Sequence, residues 1–128
     1  MEDNIVYLSP HFKREEFACG CGCGFGMNDG DVSEELLAIL ELVRLDASRP
    51  LKINSGCRCV YHNRAVGGVP DSAHTRGTAV DVAVYGGKDR HAIVEAALVH
   101  GAQGVGVASN FVHIDVDELL PRPSLWIY

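Results

Sequence analysis

Two stretches of the chain alternate branched apolar residues with polar or small ones, as half-buried β-strands do. Residues 79–85 read AVDVAVY, and residues 111–117 read FVHIDVD. Each stretch puts three branched aliphatic side chains on one face. The opposite face carries Asp81 in the first stretch, and His113 and Asp115 in the second. If the two strands lie close together in one sheet, these polar side chains converge on one surface.

Two other stretches have the apolar spacing of helices. Residues 31–48 carry an apolar stripe and begin with an apparent capping box formed by Asp31 and Glu34. Residues 88–100 predict a second helix, which Gly101 ends. Shorter signals predict a strand over residues 51–54, a short helix over residues 58–66, and a glycine-rich loop over residues 19–26.

The size and charge of the chain narrow the classes of function. A chain of 128 residues, 47% of them hydrophobic, predicts one globular domain over residues 1–128. The net charge of −6 argues against a nucleic-acid partner, which clustered basic residues would bind. No stretch is apolar enough to span a membrane, and the start MEDNIVYLSP does not resemble a signal peptide. We therefore expect synthesis in the cytoplasm and no membrane partner.

The segment SAHTRGTAVD contains the residues that most directly indicate a metal-binding or catalytic site. We expect a loop to supply His74, a glycine turn to follow, and a strand to supply Asp81, with His113 as a third ligand. Two imidazoles, one carboxylate and an open fourth position are the ligand set of a catalytic zinc ion. On chemistry alone, the alternative is that these three residues only stabilise turns and strands.

These motifs resemble the M15 zinc peptidases, specifically the small phage-type and bacterial members of the D-Ala-D-Ala carboxypeptidase branch. SAHTRGTAVD and FVHID match the two zinc motifs of the family, and INSGCRC, HNRAVGGVPDSAH and FACGCGCGF extend the match. The resemblance runs from about Leu8 to about Trp126. It implies a compact α+β fold with a small, mainly antiparallel sheet flanked by helices, as in the hedgehog signalling domain.

The resemblance also implies an activity and its participants. The expected activity is zinc-dependent hydrolysis of peptide bonds in bacterial peptidoglycan, by a carboxypeptidase or an endopeptidase. His74, Asp81 and His113 would bind one Zn²⁺, and the partners would be peptidoglycan stem peptides bound by a monomer. Without a signal peptide, the protein would reach the cell wall only by release or delivery, as a phage lysis or tail-associated enzyme does.

The resemblance also implies roles for further residues. Arg58 matches an arginine that binds the substrate or stabilises the transition state, and we expect Ser72 to hold the loop beside the substrate. Several relatives carry a carboxylate general base three residues before the third ligand, where this chain has Asn110. An amide cannot act as a base at neutral pH. Asp115 is therefore expected either to act as the base or to orient a zinc ligand.

The five cysteines form two groups, one in the glycine-rich loop and one around Arg58. We expect a disulfide between the groups, or free thiols in a reducing compartment, rather than a second metal site, because C-x-C spacing suits zinc less well than C-x₂-C. Two other functions stay open: a non-catalytic zinc-containing binding module on the same fold, and a cysteine-based redox or metal-storage protein.

Overall fold

The computed structural model describes residues 5–128. The first four residues belong to the N-terminal segment in which we expected no signal peptide, and they lie outside the described residues. The described chain contains three α-helices and seven β-strands. In order these are β1 (Tyr7–Ser9), β2 (Phe12–Lys13), α1 (Glu34–Ala47), β3 (Ile53–Ser55), α2 (Val60–Ala65), β4 (Ala79–Ala83), α3 (Gly87–Val99), β5 (Gly104–Val107), β6 (Phe111–Asp115) and β7 (Ser124–Ile127).

Five of these strands form one sheet in the order β3-β4-β6-β5-β7, while β1 and β2 form a separate antiparallel pair. Within the larger sheet, only the edge pair of β5 and β7 is parallel. The α+β class with a mainly antiparallel sheet is thus confirmed. The parallel edge strand β7 was not predicted, because pairing between strands so far apart in sequence leaves no local pattern.

The alternation that predicted β4 and β6 describes their packing correctly. The branched aliphatic residues of both strands are buried in the hydrophobic core with the apolar sides of α1 and α3. Pairing of the two antiparallel strands sets Asp81 directly opposite His113. The two polar faces therefore lie on one side of the sheet, and helices α1 and α3 on the other.

The long helices lie close to their predicted ranges, but their ends differ. The N-cap of α1 is Ser33, whose Oγ accepts a hydrogen bond from Leu36 N at 3.2 Å, so the expected Asp31 capping box is wrong. The Asp31 carboxylate instead accepts hydrogen bonds from the backbone of Gly26 and Asn28. Helix α1 ends at Ala47, and the next residue, Ser48, has a left-handed backbone conformation.

The short elements differ more from expectation. Helix α2 begins two residues later than predicted because Cys59 is its N-cap, with Sγ accepting from His62 N at 3.3 Å. This leaves Arg58 ahead of the helix and outside regular secondary structure, and its side chain reaches Asp81 of the sheet. Within residues 5–128, the structure contains no helix long and apolar enough to cross a membrane.

Candidate metal centre

Two histidines and one aspartate meet above the paired strands β4 and β6. His74 Nε2 and His113 Nδ1 each lie 3.3 Å from the same oxygen of Asp81. One ligand atom from each of the three residues lies within 4.8 Å of the others, and all three residues are buried. A tetrahedral ion with metal–ligand distances of about 2.0–2.1 Å separates its ligand atoms by about 3.3 Å. The spacing of these residues, hereafter the triad, therefore fits such an ion.

Different local structures bring the three ligands together. Strand pairing delivers Asp81 and His113 as direct neighbours. His74 comes from a single 3₁₀ turn, Ala73–Arg76, whose N-cap Ser72 accepts a hydrogen bond from His74 N at 3.2 Å. Gly77 ends this turn with φ 71°, as the glycine in the motif predicts.

The hydrogen bonds of the two imidazoles leave one ring nitrogen of each free to bind a metal. His74 Nδ1 lies 2.7 Å from the backbone oxygen of Gly56, so it must carry the proton. His113 Nε2 lies 2.6 Å from Asp115 Oδ2 and likewise donates its proton. The remaining nitrogens, Nε2 of His74 and Nδ1 of His113, both face Asp81. Fixing the tautomer in this way is how proteins prepare histidine ligands.

The charges within the triad stabilise one another. Burial by itself would raise the pKa of Asp81, but hydrogen bonds with His113 and His74 outweigh it and hold the pKa well below its usual range. Burial would lower the pKa of His113, but hydrogen bonds to Asp115 and Asp81 raise it overall. The triad therefore keeps an ionised carboxylate between two imidazoles, as a divalent cation requires.

Asp115 lies behind His113 and is fully enclosed, with 0% of its surface exposed. Arg122 donates to both of its oxygens, from Nε at 3.0 Å and from Nη2 at 2.7 Å. Burial opposes ionisation of Asp115, but the bonds from His113 and Arg122 lower its pKa to about 2. Because Asp115 is enclosed and does not line the cleft, its position is that of a group that orients His113.

Arg58 stands beside the triad and is held at three points. It donates from Nη2 to Asp81 Oδ2 at 3.0 Å, from Nη1 to Asn63 Oδ1 at 3.1 Å, and from Nε to Ser55 Oγ at 2.9 Å. A guanidinium has five N–H donors. Two donors therefore remain for a ligand, in an orientation that the other three contacts fix.

The triad forms part of the floor of a cleft of ≈ 320 Å³. Trp126 forms one wall. Its ring centroid lies 5.0 Å from that of His113, and Cζ of Arg122 lies 5.3 Å from the centroid of the Trp126 ring. This wall depends on Gly106 of the neighbouring strand β5, because a Cβ there would collide with the indole. Gly104, on the same strand, similarly leaves room for the Asp115 carboxylate.

Comparison with known proteins identifies the family of the chain. The family model described as Peptidase M15 matches residues 10–115, most of the chain, including every residue of the triad. The chain belongs to the peptidase M15 family. No protein in the curated collection matches it.

In this M15 family member, the position expected to hold a general base lies away from the cleft. Asn110 is exposed in the turn before β6, and its backbone oxygen accepts a hydrogen bond from Val84 N at 3.0 Å. Asn110 is three residues before His113, and alternation along a strand directs residues three apart to opposite faces. Among the described residues that line the cleft, Asp81 alone is a carboxylic acid.

Other site residues have roles that the sequence did not indicate. Arg122 follows an irregular segment after β6, with no periodic pattern to mark it, yet it binds Asp115 and lines the cleft. Asn63 accepts from Arg58 and donates to Val69 O at 2.8 Å. Ser72 borders the cleft, and its hydroxyl accepts the capping hydrogen bond of the His74 turn.

The cysteines contradict the expected disulfide. None of the five forms a disulfide, and the two groups approach at Cys21 Sγ and Cys59 Sγ, which lie 3.7 Å apart. A disulfide bond is about 2.05 Å long. Cys57 faces the hydrophobic core instead, where burial raises the pKa of its thiol to about 12. The segment 57–59 thus directs one side chain to the core, one to the cleft and one to the glycine-rich loop.

Proposed function

We propose that this protein is a zinc-dependent metallopeptidase that hydrolyses peptide bonds in bacterial peptidoglycan, as a carboxypeptidase or an endopeptidase. The observation that carries the proposal is the triad. Its ligand atoms have tetrahedral spacing, and hydrogen bonds leave one nitrogen of each histidine free. Zinc is the ion that this set of two imidazoles and one carboxylate suits best, with a fourth position open to the cleft.

Bound by the triad, zinc would lower the pKa of a water molecule and polarise the carbonyl of the scissile bond. Arg58 is fixed beside Asp81 and has two donors unused, so it can stabilise the negative charge that develops on the carbonyl oxygen. Asp115 keeps His113 in its binding tautomer and contributes to catalysis through that ligand.

The surroundings of the triad suit a short peptide that carries carboxylates. Two guanidinium groups, those of Arg58 and Arg122, line the cleft, and the aromatic residues Trp126 and Tyr128 line it as well. Guanidinium groups bind carboxylates through paired hydrogen bonds. Peptidoglycan stem peptides carry carboxylates at their end and along their length, and the protein would bind them as a monomer after release or delivery to the cell wall.

A non-catalytic zinc-containing binding module is the second candidate. It is favoured by the composition of the cleft, where Asp81 is the single carboxylic acid among the described lining residues and is itself a proposed ligand. General-base catalysis by a side chain requires a group within hydrogen-bond reach of the attacking water. A module of this kind would bind the same peptides without cleaving them.

Digestion of isolated peptidoglycan separates the two candidates. The purified, zinc-quantified protein is incubated with sacculi of several wall types, and new peptide termini are identified by mass spectrometry. Termini that appear with zinc, vanish with chelator and are absent for the folded variant His113→Ala support the peptidase. A zinc-loaded protein that sediments with sacculi but releases no peptide from any wall type supports the binding module.

A further inference from the structure

Four of the five cysteines gather at one place, although they come from two distant parts of the chain. Three belong to the glycine-rich loop, and the fourth caps helix α2. One sulfur atom from each lies within 4.8 Å of the others. This group, hereafter the cysteine cluster, comprises Cys19, Cys21, Cys23 and Cys59 and shares no residue with the triad.

The distances within the cysteine cluster fit metal coordination better than sulfur–sulfur bonding. Cys21 Sγ lies 3.5 Å from Cys19 Sγ and 3.7 Å from Cys59 Sγ. A tetrahedral zinc ion with Zn–S distances of about 2.3 Å holds its sulfur atoms about 3.8 Å apart. The observed separations are close to that value and well beyond the length of a disulfide bond of about 2.05 Å.

The backbone around the cluster has the features that thiolate ligands need. Cys59 N donates to Cys19 Sγ at 3.4 Å, and His62 N donates to Cys59 Sγ at 3.3 Å. Such bonds stabilise negative charge on sulfur. The loop turns within two residues, with Gly22 N bonded to Cys19 O at 3.1 Å and φ 79° at Gly22. This turn lets cysteines at C-x-C spacing face the same point, which the sequence alone did not suggest.

We propose that the cysteine cluster is a second, structural metal site that binds one zinc ion through four thiolates. Four thiolates without a water ligand are the donor set of a closed structural site. The ion would fasten the glycine-rich loop to the start of α2, next to Arg58. Cys57 has the opposite environment, in the core and outside the cluster, so it supplies a matched control two residues from Cys59.

Metal analysis of the full-length protein tests this proposal. After exhaustive buffer exchange, we expect two zinc ions per chain in the wild type and in Cys57→Ser. We expect one in Cys21→Ser/Cys59→Ser and one in His74→Ala/His113→Ala. One ion in the wild type that the histidine variant abolishes and the cysteine variant keeps would overturn the second site and leave the proposed peptidase intact. One ion that the cysteine variant abolishes and the histidine variant keeps would support the cysteine cluster and argue against zinc at the triad.

A measurement on the unsubstituted protein covers the case in which a cysteine variant fails to fold. Cobalt in place of zinc should give the thiolate charge-transfer absorption of a sulfur-ligated ion, which nitrogen and oxygen ligands do not give. Alkylation should also be slow at Cys21 and Cys23, which are exposed, and become fast when chelator is added. Fast alkylation without chelator, or masses that show disulfides within the cluster, would overturn the proposal.

Discussion

The carboxylate of Asp115 lies 2.6 Å from Nε2 of His113, while the other ring nitrogen of His113 faces Asp81. The imidazole is thus held between a buried carboxylate and the proposed ion. Arg122 holds the carboxylate in turn, so the orientation of one ligand depends on a chain of three side chains. The role proposed for Asp115 follows from this placement, and it leads to the first prediction.

Replacing Asp115 with asparagine should weaken zinc binding by about 10–100-fold, because an amide orients His113 poorly and leaves Arg122 unpaired. Competition with a chromogenic chelator measures this affinity. The matched control is Asp46→Asn, which changes an exposed carboxylate paired with His100. Unaltered affinity together with lost hydrolysis would instead make Asp115 the base.

Replacing Arg58 with lysine should lower kcat/KM on peptidoglycan fragments by about 10²-fold or more, with the zinc content unchanged. A lysine can replace one of the three contacts of Arg58 but not the fixed fork that leaves two donors unused beside the cleft. Arg64→Lys, on the exposed surface of α2, is the control and should behave as wild type. Equal rates for the two variants would remove Arg58 from the mechanism.

Gly106→Ala should destabilise the protein by about 1–3 kcal/mol, because the added methyl group displaces the Trp126 wall. Urea unfolding measures the change, and a raised KM should accompany it. The control Gly87→Ala adds the same group at the start of α3, where the nearest contact is 3.5 Å away at the end of the Arg90 side chain. That variant should equal or exceed the stability of wild type. A Gly106→Ala protein as stable as Gly87→Ala would show that the wall can move freely.

Asp117 should stabilise the fold in a pH-dependent way. Hydrogen bonds from Arg76 lower its pKa in the folded protein. The stabilisation is therefore complete above the pKa of the unfolded state, about 3.9, and is lost as the pH falls through the lower folded value. At pH 7, Asp117→Asn should lose about 1–3 kcal/mol of unfolding free energy.

The pH series itself supplies the check on this prediction. The difference in unfolding free energy between wild type and Asp117→Asn should shrink as the pH drops below about 4. Asp71→Asn removes the other, exposed partner of Arg76 and should have almost no effect at any pH. A difference that does not vary with pH would assign the loss to packing instead of charge.

The sequence predicted those parts of the molecule that local periodicity determines. Alternation placed the valines of β4 and β6 in the core and the polar residues on the opposite face, and strand pairing then set Asp81 opposite His113. The boundaries were less accurate, because capping depends on which side chain reaches a free amide. Ser33 does so in α1, and Asp31 does not.

What the sequence missed depends on contacts between distant segments. Arg122 follows no local pattern, and it reaches the cleft from the irregular segment that leads into β7, the strand paired with β5. The expected disulfide was also wrong, because its formation depends on how two distant segments are arranged. The spacing of cysteines within each group gives no information on how the sulfur atoms are arranged between groups, and the structure separates Cys57 from the other four.

Cys57, Arg58 and Cys59 are consecutive, yet each side chain enters a different environment. Inserting or deleting one residue here would rotate all three into the wrong surroundings at once, whatever residue were added. Evolution and engineering should therefore be able to change the side chains around this segment more readily than the number of residues within it.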